Sequence, residues 1–197
     1  EISCSLVGSE MCIRDRLYGF LGKLDALNMS CSGFYLSSGY TSIGDLRCVF
    51  NWNYDKFPNP AKFIERFNSE KIHLIPNIKP AFLTSHPMYN EIAEKGLFVK
   101  NEDGTPFVTE FWDGMGSYID FTLPEGFKFW HDNVAAKLLD YGIDATWNDN
   151  NEFDIKDTDA VANGFKDGSV KASRIRPILT YLMVASSYSA QTEKYPG

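Results

Sequence analysis

Residues 141–154 read YGIDATWNDNNEFD, an apolar lead-in followed by a tryptophan and a dense run of carboxylates and carboxamides. The lead-in predicts a short buried strand, which puts Trp147, Asp149, Asn150, Asn151 and Glu152 at its carboxyl end. A carboxylate there is held by backbone on one side and can face a cleft. Asn148, Asn150 and Asn151 bring amide donors that favour the ionised form of Asp149. Trp147 adds an apolar wall and a stacking face. An ionised, oriented carboxylate beside an aromatic face suits a nucleophile for glycosyl transfer, with Glu152 able to orient a neighbour or contact a hydroxyl. Composition alone gives equal weight to a solvated Asn/Asp-rich loop. A calcium loop fails, because the EF-hand pattern needs glycine at its sixth position and, counted from Asp149, Asp154 stands there.

Helical and short apolar segments alternate from residue 17 onward, and these must position the cluster. LYGFLGKLDALN has helical spacing, and CSGFYLSSGY reads as a strand with a polar end at Ser37–Gly39. NPAKFIERFNSEK predicts an amphipathic helix with Asn59 as cap and Pro60 in its first turn. IHLIPNIKP predicts a second strand ending in Lys79 and Pro80, and HPMYNEIAEKG a short helix closed by Gly96. LFVKNEDGTPFVTEFW predicts a hairpin about Asp103-Gly104. LPEGFKFWHDNVAAKLLDYG predicts a long helix ending at Gly142, IDATWND the next strand, and SRIRPILTYLMVASSYSAQTEK a final helix. Apolar strands joined by amphipathic helices predict a parallel α/β architecture, in which ligands meet the carboxyl ends of the strands. Each strand here ends in a polar or aromatic cluster: SSGY, NIKP, WNDNNE. About three parallel strands are too few to close an eight-stranded barrel.

Composition removes several classes of function. With 197 residues, 44% hydrophobic and 15% aromatic, the chain can bury a core as one domain or as part of a larger one. A net charge of −7 and scattered Lys and Arg argue against a nucleic-acid partner. Cys4, Cys12, Cys31 and Cys48 form no CxxC pair, and His73, His86 and His131 lie far apart, so no metal site is expected. No apolar run approaches the ~18–20 residues of a membrane span. Residues 1–16, EISCSLVGSEMCIRDR, lack signal-peptide features and resemble translated sequencing-adapter read-through. They are set aside as a non-native segment, which leaves residues 17–197 as the domain and the localisation undetermined.

Three motifs in order carry a family resemblance across roughly residues 17–197. GIDATWNDNNEF resembles the nucleophile signature of glycoside hydrolase family 31, G-[apolar]-x-x-x-W-x-D-M-N-E, at Trp147, Asp149, Asn151 and Glu152, with Asn150 in place of Met. FNWNYDKFPNPAKFIERF is similar to the family's F-T-W-D-x-x-x-F-P-D-P segment. EFWDGMGSYIDFTLPEGFKFW is similar to its W-P-G/W-D-x-G…D-[FY]-T-N-P…W segment at Trp112, Asp120, Phe121, Thr122, Pro124 and Trp130.

The resemblance implies part of a (β/α)8 TIM barrel, about its second to fourth strands. It implies a retaining α-glycoside hydrolase that removes terminal α-linked sugars through a covalent glycosyl-Asp intermediate, α-glucosidase-like and without cofactor. Asp149 is then the nucleophile. Trp112 and Asp113 would form a stacking wall and a hydroxyl acceptor, with Trp147, Glu152, Tyr40 and Lys79 as further substrate contacts. A core role for Trp112 and a surface role for Lys79 stay open beside these. In retaining enzymes the two carboxyl groups stand ~5–5.5 Å apart. The family's acid/base Asp follows an R-[SA]-G…W-x-G-D pattern that this chain lacks, so the chain alone is expected to be inactive. Its expected partners are a carbohydrate and the remainder of the barrel with flanking β domains. Where many α-glucosidases of the family carry D-x-D-Y, this chain has Ser37-Ser38-Gly39-Tyr40. The loss of a charged acceptor leaves α-galactosidase or α-N-acetylgalactosaminidase activity, or non-catalytic carbohydrate binding, as the alternative.

Overall fold

The computed structural model describes residues 12–156 and 159–196. Helix α1 (Cys12–Ala26) leads to strand β1 (Gly33–Leu36), and a 3-10 turn at Ser38–Thr41 follows. A small antiparallel ribbon comes next, β2 (Ser42–Ile43) against β3 (Leu46–Arg47). Helix α2 (Pro60–Ser69) starts where Asn59 and Pro60 predict it. The Asn59 side chain accepts from the Lys62 N–H at 3.0 Å, a cap that contributes about 1 kcal/mol. Strand β4 (His73–Ile78) lies parallel to β1 with Tyr35 opposite Ile75. After β5 (Ala81–Leu83) and helix α3 (Tyr89–Glu94) come β6 (Thr109–Phe111) and β7 (Gly114–Tyr118), which form an antiparallel sheet in the order β5-β7-β6. Helix α4 (Pro124–Lys137) carries the chain to β8 (Trp147–Asn148), which pairs parallel with β4. The antiparallel pair β9 (Val161–Ala162) and β10 (Val170–Lys171) precedes helix α5 (Arg176–Lys194).

The central sheet has the order β1-β4-β8, with α2 crossing between the first two strands and α4 between the last two. Each strand is therefore laid beside its predecessor in sequence, the repeating βα unit of a parallel barrel. Burial follows the alternation of the strands. Phe34 of β1 turns to the helix layer and packs on Phe67 of α2, with ring centroids 5.5 Å apart. An aromatic chain continues from Phe67 through Phe63, Phe57 and Trp52 to Tyr40, all of them buried. The opposite face of the sheet carries Tyr35, Asn77 and Trp147.

Two expectations need correction: the helix expected to run to Gly142 ends at Lys137, and the strand after it is shorter than expected. The strand foreseen in IDATWND shrinks to Trp147–Asn148, with the 3-10 turn Leu139–Tyr141 and Gly142 (φ 101) preceding it. The turn at Asp103-Gly104 exists, with Asn101 N–H on the Thr105 carbonyl at 2.8 Å. A second hairpin was not foreseen: β6 and β7 are joined by Trp112 and Asp113, so these two residues sit at a turn. Of the segment set aside above, residues 12–16 form the start of α1, and the remainder lies outside the described residues.

Candidate active site

Strand periodicity and register build the site. Side chains two apart on a strand share a face, so Asn77 and Lys79 point one way, as do Trp147 and Asp149. The β4–β8 register sets Asn77 opposite Trp147, and the Asp149 N–H bonds the Ile78 carbonyl at 2.9 Å, which carries the ladder one residue further. Lys79 and Asp149 are consequently neighbours at the carboxyl end of the sheet. Lys79 Nζ donates to Asp149 Oδ2 at 2.5 Å, and Asn77 Nδ2 donates to the same oxygen at 2.7 Å. Lys79 also donates to Asn150 Oδ1, and its ammonium lies 4.8 Å from the centre of the Trp112 ring. At this degree of burial that cation–π contact is worth about 1–2 kcal/mol.

Partial burial pushes the Asp149 carboxyl up, but the hydrogen bonds from Asn77 and Lys79 and the lysine's charge outweigh it. The net position lies below the ordinary carboxylate range. Asp149 is therefore an ionised carboxylate over the whole neutral range. The loop beyond it turns back through Asn150 (φ 48) and Phe153 (φ 49), both left-handed. Asparagine tolerates that region, whereas phenylalanine rarely does. Phe153 is held there by full burial between Tyr118 and Phe121, with ring centroids 4.9 and 6.1 Å away.

The other expected contacts divide. Trp147 is 38% exposed, lies on the same side as Asp149 and meets the Tyr35 ring near-perpendicularly at 5.8 Å. Glu152 is exposed on the same loop. Trp112 is partly buried over Lys79, and its Nε1 has no partner among the described residues. Asp113 accepts from Arg47 through Nε (2.8 Å), a terminal nitrogen (2.5 Å) and the backbone N–H (2.8 Å), which ties the β6–β7 turn to β3. Those contacts hold its carboxyl below the usual range and occupy most of its acceptor capacity. Tyr40 lies elsewhere than the expectation of a sugar contact requires. It is 1% exposed, its ring is 4.7 Å from Trp52, and its hydroxyl donates to the Asn77 carbonyl at 3.0 Å. It props β4 from within the core, and burial drives its hydroxyl far above the ordinary range.

Asn77, Arg47 and Tyr35 were not singled out from the sequence. Only Asn77 carried a usable signal, since it stands two residues before Lys79 on one strand face. A shallow cleft between these elements is lined by Ser38, Thr41, Arg47, Asn77, Lys79 and Trp112. Among the described residues no group of His, Cys, Asp and Glu is arranged to hold a metal ion, and no helix is long and apolar enough to cross a membrane.

Three parallel strands with helical crossovers, and a charged cluster at their carboxyl ends, define part of an α/β barrel with its functional face at the strand ends. The model of the glycosyl hydrolases family 31 TIM-barrel domain matches residues 9–197, and the chain belongs to that family. Human neutral alpha-glucosidase C is 34% identical over 110 residues, which cover 52% of this chain and 12% of the relative. Alpha-xylosidase XylQ of Lactiplantibacillus pentosus is 26% identical over 98 residues, covering 50% of this chain and 13% of that protein. The chain thus spans about an eighth of the length of the curated relatives it matches. Among solved structures, a GH31 alpha-xylosidase from a soil metagenome complexed with xylose superposes with a TM-score of 0.78 at 20% identity, covering 92% of this chain and 26% of that one. The Flavobacterium johnsoniae GH31 dextranase complexed with glucose gives 0.77 at 17% identity, covering 93% and 22%. These likenesses establish the fold.

Proposed function

We propose that this chain supplies the nucleophile half of a retaining α-glycoside hydrolase active site, with Asp149 as the attacking carboxylate. The observation that carries the reading is the Asp149 carboxylate just beyond β8, held by Asn77 and Lys79 near the partly exposed Trp147. In the first step a lone pair of the carboxylate forms a bond to the anomeric carbon, and the bond from that carbon to the leaving oxygen breaks. The leaving oxygen takes the electron pair and receives a proton from a carboxylic acid on barrel segments other than those described here. Water, activated by the conjugate base of that acid, then releases the sugar. Relatives named as α-glucosidases and an α-xylosidase support a terminal α-linked sugar as substrate. Ser37, Ser38 and Gly39 in place of a carboxylate at the end of β1 favour a second reading within the family, an α-galactoside or α-N-acetylgalactosaminide. The chain alone lacks the acid and is expected to be inactive.

The test is trapping. A glycosyl fluoride deactivated by a ring fluorine, incubated with the protein carrying its complete barrel, should leave one sugar on the peptide containing Asp149, located by mass spectrometry. A label on another carboxylate, or no label while turnover proceeds, overturns the assignment. Comparing gluco-, xylo- and galacto-configured fluorides ranks the substrates.

A further inference from the structure

We infer that Lys79 and Asn77 are positioning residues that commit one oxygen of Asp149, Oδ2, to the protein and reserve Oδ1 as the attacking atom. The inference rests on Asp149 being the nucleophile. A carboxylate has a broad, two-fold torsional preference about its last bond, so either oxygen of a free aspartate can present itself. Here both side-chain donors fall on one oxygen, Asn77 Nδ2 at 2.7 Å and Lys79 Nζ at 2.5 Å. Asn77 is near the end of β4 and Lys79 one residue beyond it, so the backbone fixes their spacing, and two donors on one oxygen restrict rotation of the carboxylate. Among the described residues no side chain donates to Oδ1.

The donors are themselves immobilised. Lys79 is 8% exposed, bonded also to Asn150 Oδ1 and pressed against the Trp112 ring. Asn77 is 3% exposed, and its carbonyl is propped by the Tyr40 hydroxyl. Its amide orientation follows from chemistry, since a carboxylate only accepts and the NH₂ must face it. The charged groups around Asp149 come from several elements. Lys79 stands just beyond β4, and the paired Arg47 and Asp113 on β3 and the β6–β7 turn. Glu152 and Asp154 lie on its own loop, Asp154 being 3.7 Å from Arg176 at the start of α5. Lys79 is the charge in hydrogen-bond contact.

With a glycosyl fluoride the step is simple. A lone pair of Oδ1 makes the bond to the anomeric carbon, the carbon–fluorine bond breaks, and fluoride leaves with its electrons. No proton moves, so the rate of labelling reports the nucleophile alone. The experiment measures labelling of Asp149 against pH for the protein with its complete barrel and for Lys79→Met, Lys79→Arg and Asn77→Ala. Lys79→Met should slow the plateau on the order of 10²-fold, the scale of a misoriented reacting group. It should also move the acid limb to higher pH, because the charge that holds Asp149 ionised is gone. Lys79→Arg keeps the charge but cannot place one nitrogen on Oδ2 beneath Trp112, so its plateau should fall while the limb stays. Asn77→Ala should lower the plateau and decides the matter if Lys79→Met fails to fold. A folded Lys79→Met, or failing that Asn77→Ala, that labels at the parent's rate overturns the inference, as does Lys79→Met with an unmoved acid limb. If the parent itself is not labelled at Asp149, the proposed function falls instead, and this inference with it.

Discussion

Gly164 offers the sharpest test of how the loop beyond the site is held. A methyl group built on its backbone would stand 1.9 Å from the Thr122 carbonyl oxygen and 2.7 Å from the Leu123 nitrogen. Its φ is not left-handed, so alanine is conformationally allowed and the effect of Gly164→Ala is purely steric. Relief requires the two backbones to part by about 1 Å, since such contacts do not close below ordinary van der Waals range. That movement opens the Gly164 N–H bond to Thr122 Oγ1, now 3.0 Å, and strains the neighbouring Asn163 N–H bond to buried Asp120, now 2.7 Å. Overpacking costs roughly 1–3 kcal/mol and the lost hydrogen bond about 1 more, so about 2–4 kcal/mol in all. For a chain of this size each kcal/mol lowers Tm by about 2–4 °C, which gives a drop of roughly 4–16 °C. Gly39→Ala is the control, because its methyl would meet nothing within 4 Å and should be neutral or slightly stabilising. Thermal melts followed by circular dichroism compare the two. A Gly164→Ala chain melting within about 2 °C of its parent would refute the close approach.

Tyr40→Phe should cost about 1–1.5 kcal/mol by urea titration through loss of the bond to the Asn77 carbonyl, and leave sugar affinity by calorimetry unchanged. A weakened affinity with unaltered stability would return Tyr40 to the ligand. His86 donates from Nε2 to the Val49 carbonyl and accepts the Met88 N–H at Nδ1, so protonation breaks a bond. Burial lowers its pKa, more than the Val49 contact raises it, from the ordinary value near 6.5. The unfolded chain therefore takes the proton first: the contribution is complete above about pH 6.5 and is lost as pH falls towards the folded-state pKa. His86→Gln should flatten that part of a stability–pH curve measured by urea midpoints, and an unchanged slope would contradict the argument. In the protein with its complete barrel, Asp149→Ala should abolish turnover, and azide should restore cleavage of an activated aryl α-glycoside. Full activity in that variant rules Asp149 out as nucleophile.

Local signals gave the architecture because they rest on backbone chemistry. Asn59 and Pro60 mark the start of α2 whatever surrounds them, and Gly142 ends the α4 segment with a left-handed residue. The β6–β7 hairpin carries the same signal as the first, an Asp-Gly pair at Asp113-Gly114 (φ 139), but Gly114 follows the end of the strand Thr109–Phe111 by only three residues, so the run reads as one segment. At the site, Asp149 and Trp147 announce themselves by type and spacing. Lys79 was visible as a strand-end cation, but its partner was not, because the pairing arises from the register between strands some 70 residues apart in sequence. Asn77 is an amide in an apolar run, and Tyr40 an aromatic beside a polar turn; one is a donor to the carboxylate and the other a core prop. Which is which depends on the direction each side chain takes, which the strand and turn geometry decides.

The order β1-β4-β8 also bears on how the chain is made. Within this sheet each strand pairs with the one before it in the sheet, and no later strand of it is inserted between earlier ones. A nascent chain can dock β4 on β1 once α2 and β4 have emerged, then α4 and β8 on the edge so formed. Asp149 follows directly on a strand of only two residues. Its place is fixed from the helix layer: the Trp130 indole donates to Ser187 Oγ at 2.9 Å, and that hydroxyl donates to Asn148 Oδ1 at 2.8 Å. Asp149 is thus tied, through the residue before it, to both α4 and α5.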